Sequence, residues 1–268
     1  MQTRTAPDIY AEPRLVPSAS DCYFYHTQEI PGLGLVQGEW DLRPGIDAYL
    51  GKMDFRGKRV LELGTADGFI TFHIERHGGE VVSYDLSDDY DWDVVPFARS
   101  AADGYMERFM AGVGQVNNSY WFCHHANRSQ ARMVYGDVYH IPQAIGPVDI
   151  SVYGAILCHL HDPFEALRQG LRLTRETVVI TDGFRRFSRF RPLERFIPPA
   201  LRSPSLKFLP NATTGEPKVA WWEIGPEVIK RFIGVLGFED AKVTYHAQRY
   251  LGRTKYLFTV VGHRTAGR

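Results

Sequence analysis

The sequence predicts an α/β domain with a seven-stranded, mostly parallel sheet. Short apolar runs alternate with segments of helical spacing, and this alternation is typical of a parallel sheet covered on both faces. The last two apolar runs follow each other without a helix between them, so we expect one antiparallel strand at an edge of the sheet. With 268 residues, 44% of them hydrophobic, the chain is long enough to bury one large core.

Each predicted strand is a short apolar run with polar or glycine boundaries. The first covers residues 59–64 and ends at a glycine, and the second covers residues 80–85 and ends at Asp85. The run at 148–155 is almost entirely apolar, which is typical of a strand buried on both faces. The other predicted strands cover residues 132–135, 177–182, 240–246 and 255–261.

Proline and glycine mark the predicted helix ends. A short helix over 69–77 stops at Gly78, and a helix from Pro226 stops at Gly237. Asp162 is a suitable N-cap for a helix that starts with Pro163 and runs to about residue 173. Two further helices are predicted at residues 96–110 and 119–130.

Composition divides the chain into a cap and a main domain. Residues 1–56 are rich in proline, glycine and aromatic residues, and we expect them to form an N-terminal arm and an irregular cap. Residues 57–268 form the α/β domain, with residues 183–220 inserted after the fifth strand. Part of this insertion, residues 184–210, is basic and aromatic, which is compatible with a substrate lid, an RNA contact or a solvated surface.

Charge and cysteine content limit the functional classes. Lys plus Arg and Asp plus Glu both number 31, and this balance makes a long nucleic acid an unlikely partner, although a local patch could still bind one. The three cysteines form no C-x-x-C pair, so we expect neither a zinc site nor a disulfide framework. The first residues lack a secretory pattern and no window is apolar enough to span a membrane, so we expect a cytoplasmic protein. A homodimer is left open.

A glycine turn and an acid predict a nucleoside site. Gly64 and Gly68 flank the turn between the first strand and its helix, and Asp85 ends the next strand 17 residues after Gly68. A glycine turn permits close approach of the backbone to a ligand, and an acid at the end of the second strand suits the hydroxyl groups of a ribose. Phe69 occupies the position of the last glycine in the G-x-G-x-x-G pattern of dinucleotide-binding proteins, so that pattern is not met. Asp67 would repel a phosphate group but could bind the cationic amino-acid part of a ligand.

These residues resemble class I S-adenosylmethionine-dependent methyltransferases. The segment from Glu62 to Gly68 resembles their motif I, with Ala66 in place of the usual middle glycine. Asp85 matches the motif II acid that binds ribose, and Asp137 matches the acid that approaches the adenine amino group. Residues 149–155 resemble the fourth strand, whose end lies beside the donor methyl.

The resemblance implies a Rossmann-like fold, S-adenosyl-L-methionine as cofactor and methyl transfer to a small-molecule acceptor, with oxygen favoured over nitrogen and carbon. The cofactor-binding residues that it implies are Glu62, Gly64, Thr65, Ala66, Asp67, Gly68, Asp85, Leu86, Asp137, Val138 and Gly154.

A narrower resemblance involves residues 154–163, which are similar to a segment of the enzymes that carboxymethylate wobble uridine in tRNA. The chain lacks the W-R-S-D-x-K-W segment of those enzymes, so we expect a related branch that acts on other acceptors. A tRNA-modifying enzyme and a non-catalytic nucleoside-binding module are the alternatives.

Histidine is the usual proton acceptor near neutral pH, and two histidines follow the fourth strand. We expect His159 to be the general base and assign His161 a weaker claim to that role. The adjacent His124 and His125 have no acidic companions at ligand spacing, which favours a structural role over a metal site. The aromatic residues that could line an acceptor pocket are Trp92, Trp221, Trp222 and the cluster at 23–26.

Overall fold

The structure is a computed structural model, and it describes residues 9–87, 93–98, 105–183 and 204–265, without the side chains of residues 105–110. Its strands are β1 (Gln28–Ile30), β2 (Gly34–Val36), β3 (Trp40–Asp41), β4 (Arg59–Leu63), β5 (Glu80–Asp85), β6 (Arg132–Tyr135), β7 (Val148–Gly154), β8 (Thr174–Gly183), β9 (Leu206–Phe208), β10 (Trp222–Ile224), β11 (Asp240–Tyr250) and β12 (Arg253–His263). Its α-helices are α1 (Ile46–Tyr49), α2 (Phe69–Arg76), α3 (Tyr105–Asn127), α4 (Pro163–Leu171) and α5 (Pro226–Val235).

The central sheet has eight strands in the order β3-β11-β12-β8-β7-β4-β5-β6. Strands β8, β7, β4, β5 and β6 are mutually parallel, which confirms the predicted α/β class. The predicted count of seven is wrong by one, because the two residues of β3 pair antiparallel with β11. The antiparallel strand β12 is not at the edge as predicted, because it lies between β8 and β11.

The helices flanking the parallel strands mostly begin where proline or glycine predicts. Asp162 caps α4 by accepting from the backbone N–H of Glu165, and Pro226 opens α5. The two helices predicted at 96–110 and 119–130 are a single helix, α3, in which the intervening residues continue the helical hydrogen bonding. Pro96 lies before that helix, in an irregular segment.

The N-terminal region is attached to the sheet through main-chain pairing. Strands β1 and β2 form an antiparallel hairpin. Trp40 then accepts a hydrogen bond from Thr27 N–H and donates one to the carbonyl of Tyr25, so residues 25–27 run beside β3. Within the region predicted as an insertion, residues 184–203 lie outside the described part, and β9 pairs antiparallel with β10.

Apolar side chains pack on both faces of the sheet. Leu61, Leu63 and Ile180 face one core with α4 and α5, whereas Val60, Val152 and Val179 face the other with α1 and α2. The carboxyl ends of β4, β5 and β7 meet at one edge, which is where open α/β sheets bind ligands.

In the described ranges, no helix has the length and apolar character needed to cross a membrane.

Candidate functional site

Two adjoining cavities lie at the carboxyl ends of the parallel strands. The smaller has a volume of about 120 Å³ and the larger about 570 Å³. Gly64, Asp85, Ile156 and His159 line both, so the two cavities share part of their walls. Predicted residues that line only the smaller are Leu86, Asp137 and Val138, and those that line only the larger are Ala66 and Gly154.

The turn after β4 is shaped by left-handed backbone conformations. Gly64 has φ +76°, and a Cβ there would overlap the side chain of Ile156. Gly68 has φ +80°, and a Cβ there would overlap the ring of Phe72. Ala66 also adopts a positive φ, of 48°. Glycine adopts this conformation more easily than alanine, which explains why the methyltransferases that the sequence resembles usually have glycine at this position.

Asp85 fixes this turn to the neighbouring strand. Its carboxylate accepts from the N–H of Ala66 at 2.8 Å and from the N–H of Leu86 at 2.8 Å. Burial raises the pKa of this carboxyl above its ordinary value, while the hydrogen bonds from the backbone act in the opposite direction. Asp85 therefore both shapes the cavity and lines it.

Asp137 lies in the same cavity as Asp85, as the predicted nucleoside site requires. Its two oxygens accept from Tyr139 N–H at 2.9 Å and contact Nδ1 of His140 at 2.7 Å. The hydroxyl of Tyr84 donates to the Asp137 carbonyl, which fixes the loop after β6 against β5.

Glu62 and Thr65 are buried behind the turn and line neither cavity. The hydroxyls of Thr71 and Thr65 both donate to Oε2 of Glu62, whereas Oε1 has no hydrogen-bond partner among the described residues. Burial raises the pKa of Glu62 to about 8. Glu62 thus supports the turn from beneath, and its predicted contact with a cofactor stays a prediction.

Asp67 turns away from the cavities to contact the cap. Its Oδ2 accepts from the backbone N–H of His26 at 2.7 Å, and its Oδ1 lies 2.6 Å from Nδ1 of the same residue. Asp67 is fully buried and His26 is 7% exposed. The carboxylate predicted to bind a cationic tail is therefore engaged by a histidine 41 residues earlier, for which the sequence gives no spacing signal.

His159 lines both cavities and has a defined ring orientation. Its Nδ1 lies 2.5 Å from the carbonyl oxygen of Val219, and because a carbonyl only accepts, Nδ1 carries the proton. The neutral ring then has its lone pair on Nε2. His161 differs, because its Nδ1 contacts Asp93 at 2.7 Å and it lines neither cavity.

Aromatic residues of the cap form much of the larger cavity. Tyr23, Tyr25 and His26 were indicated as pocket candidates by sequence, and Trp40 and Tyr49 join them. The indole N–H groups of Trp221 and Trp222 instead donate to the carbonyls of Asp93 and His161. Trp92 lies outside the described residues. Trp40 and Tyr49 were missed because isolated aromatic residues carry no local signal of a pocket.

His124 contacts the chain segment that follows α3. It is buried in α3, and its Nε2 contacts the carbonyl of Ala131 at 3.0 Å. Within the described ranges, no three side chains are grouped as metal ligands.

Comparisons with known proteins define the fold. No family model and no curated protein matches the sequence. The N-terminal domain of EvdMO1, solved in the presence of S-adenosylhomocysteine and D-fucose, is 17% identical with a TM-score of 0.54, covering 89% of this chain and 90% of that chain. Another structure of that domain, with S-adenosylhomocysteine bound, gives 17% identity and a TM-score of 0.52 over the same shares, 89% and 90%.

An O-methyltransferase family protein from Burkholderia thailandensis is also similar, with 13% identity and a TM-score of 0.50, covering 85% of this chain and 57% of that chain. At such low sequence identity, the similarity to these structures shows the fold of this chain and not its activity. The chain has the Rossmann-like fold of class I methyltransferases.

The buried Glu62 makes stability depend on pH. Its pKa of about 8 in the folded chain lies above its ordinary value of 4.5, so between these values the folded state holds a proton that the unfolded state has lost. The free energy of unfolding therefore falls as pH rises through this window, by about 1.4 kcal/mol per pH unit from this group. We predict that Glu62→Gln flattens the decline seen by urea denaturation from pH 5 to 8.

The matched control is Glu80→Gln, at the exposed start of β5, which should keep the wild-type slope. A Glu62→Gln variant whose stability declines as steeply as that of the wild type would contradict this account of the buried carboxyl.

Proposed function

We propose that this chain is an S-adenosyl-L-methionine-dependent methyltransferase that acts on a small-molecule acceptor, at an oxygen atom. The observation that carries the proposal is that Asp85 and Asp137 line one cavity, which shares Gly64, Asp85 and His159 with a larger one. The fold shared with a domain solved with S-adenosylhomocysteine supports the same conclusion.

The charges of the site fit this cofactor better than a phosphate-bearing one. Among the described residues, those lining the two cavities include the acids Glu39, Asp85, Asp93 and Asp137 and no Lys or Arg. Phosphate groups are usually held by basic side chains or helix N-termini, whereas a sulfonium and an ammonium group are stabilised by acids. The donor, when bound, supplies an electrophilic methyl group.

We assign the smaller cavity to the adenosine part of the donor. Asp137 and Val138 would flank the adenine, and Asp85 has lone pairs left for the ribose hydroxyls after accepting two backbone N–H groups. Gly64 and Gly154 lie at the carboxyl ends of neighbouring strands, where they would border the amino-acid part. Glu62, Thr65, Asp67 and Gly68 would act through the turn that they shape.

The acceptor would occupy the larger cavity, with His159 at the junction. Its Nδ1–H is donated to Val219, so Nε2 has the lone pair needed to take a proton from an acceptor hydroxyl. The walls of the cavity exclude water and orient the acceptor oxygen, which is the main contribution the chain can make to a displacement reaction.

Asp85→Asn tests the donor site. An amide loses the charge and presents an NH₂ group to the N–H of Ala66 or Leu86, so we predict at least about tenfold weaker binding of S-adenosylhomocysteine by calorimetry. Asp149→Asn is the matched control, because Asp149 likewise accepts a backbone N–H, from Arg59 at 2.8 Å, but at the amino end of the sheet. Equal affinities of the two variants would contradict the assignment of Asp85.

His159→Gln tests the proton acceptor. We predict that kcat falls by roughly 10²-fold or more while the affinity for S-adenosylhomocysteine stays within about threefold of wild type, because general-base catalysis contributes at this scale. The assay measures transfer of a labelled methyl group to a panel of hydroxyl and amine compounds. His161→Gln, two residues away and outside both cavities, should keep the wild-type rate.

The panel includes unmodified tRNA, since the resemblance of residues 154–163 to the wobble-uridine enzymes predicts that alternative. Methylation of tRNA, with binding that weakens as salt rises, would replace the small-molecule proposal. Donor binding with no acceptor methylated would favour the non-catalytic alternative.

A further inference from the structure

The His26–Asp67 pair is a polar group that the proposed reaction does not use. His26 belongs to the cap and lines the larger cavity, whereas Asp67 belongs to the turn after β4. The pair is nearly inaccessible to solvent, with exposures of 7% and 0%. A buried charged group costs stability unless it is well paired, so this arrangement needs an explanation.

His26 is held in place from several sides. Asp67 binds its backbone N–H and its Nδ1, Phe69 stacks on the ring at 5.5 Å, and Tyr25 meets it edge-on at 5.1 Å. A Cβ on Gly38 would overlap the His26 main chain. The ring is thus fixed by packing and by main-chain contacts.

This geometry sets the hydrogen-bonding character of the ring. With Nδ1–H donated to the Asp67 carboxylate, the neutral ring has its lone pair on Nε2. None of the described residues makes a hydrogen bond to Nε2. Because His26 also lines the larger cavity, Nε2 is the ring atom that could accept a hydrogen bond from an occupant of that cavity.

The other walls restrict what that occupant can be. Tyr25, Trp40 and Tyr49 contribute aromatic side chains, and Leu42, Ile70 and Leu257 add apolar ones. Within the described ranges, no lining residue of this cavity is Lys or Arg, so these walls offer no counter-charge to an anionic acceptor.

We infer that His26, oriented by Asp67, is a second recognition point for the acceptor, which is a ring compound with two hydroxyl groups. One hydroxyl is placed at His159 for reaction, and the other donates to Nε2 of His26. This inference rests on the proposed function and adds the chemical class of its acceptor. No proton leaves the second hydroxyl, so His26 acts in specificity.

The test compares catechol with its monomethyl ether, guaiacol, and its dimethyl ether, veratrole. This series keeps one ring and removes one O–H donor at each step. Binding to the protein saturated with S-adenosylhomocysteine is measured by NMR titration. We predict that affinity falls by roughly fivefold at each step, because each step removes one hydrogen bond between the compound and the protein.

His26→Phe keeps an aromatic ring and removes the acceptor atom. In this variant the difference between catechol and guaiacol should disappear, while veratrole binds as it does to wild type. Asp67→Asn should also weaken the binding of catechol. An amide can donate a hydrogen bond to Nδ1 of His26, which moves the proton of the ring to Nε2. His161→Phe is the matched control, since His161 lines neither cavity.

Three results would overturn the inference: no binding of catechol, equal affinities of the three compounds for wild type, or an unchanged difference in a folded His26→Phe variant. If that variant does not fold, long-range ¹H–¹⁵N NMR of the wild type decides. The neutral His26 ring should carry its proton on Nδ1, and Nε2 should shift with catechol but not with veratrole. The opposite tautomer or no shift refutes the inference. Failure to bind S-adenosylhomocysteine would instead refute the proposed function.

Discussion

The Asp85 carboxylate is the contact on which the site depends. By accepting the N–H groups of Ala66 and Leu86, it ties the turn after β4 to the end of β5. Hydrogen bonds to a charged acceptor stabilise by about 1.5–3 kcal/mol each, enough to hold a turn whose backbone is in the left-handed region. The cavity next to the strands exists because this turn stays open, and Asp85 still faces that cavity.

The same turn connects the sheet to the cap through its next acid. Asp67 holds His26 at the base of the cap, while Trp40 joins the segment around His26 to the edge of the sheet. One short segment, residues 64–68, thus borders the two cavities with Gly64 and Ala66 and contacts the cap through Asp67. This arrangement links the shape of the two cavities without a separate hinge or domain.

Local patterns in the sequence predict the parallel strands, the glycine turn, and the meeting of Asp85 and Asp137. These features follow from the apolar runs, from the glycines of the turn, and from the rule that the carboxyl ends of parallel strands meet at one edge of a sheet. The partner of Asp67 could not be predicted, because it lies 41 residues away in a segment without periodicity. Strand β3 could not be predicted either, because two residues are too few to show an alternating pattern. The continuity of α3 was not predicted because Gly112 and Gly114 lie within it and glycine disfavours a helix.

A crystal structure of the protein grown with S-adenosylhomocysteine tests the central claim most directly. The account predicts electron density for adenine beside Asp137 and Val138, ribose hydroxyls within hydrogen-bond distance of Asp85, and the sulfur directed toward the larger cavity near His159. Density for the nucleoside away from Asp85, or a sulfur that faces away from the larger cavity, would contradict it.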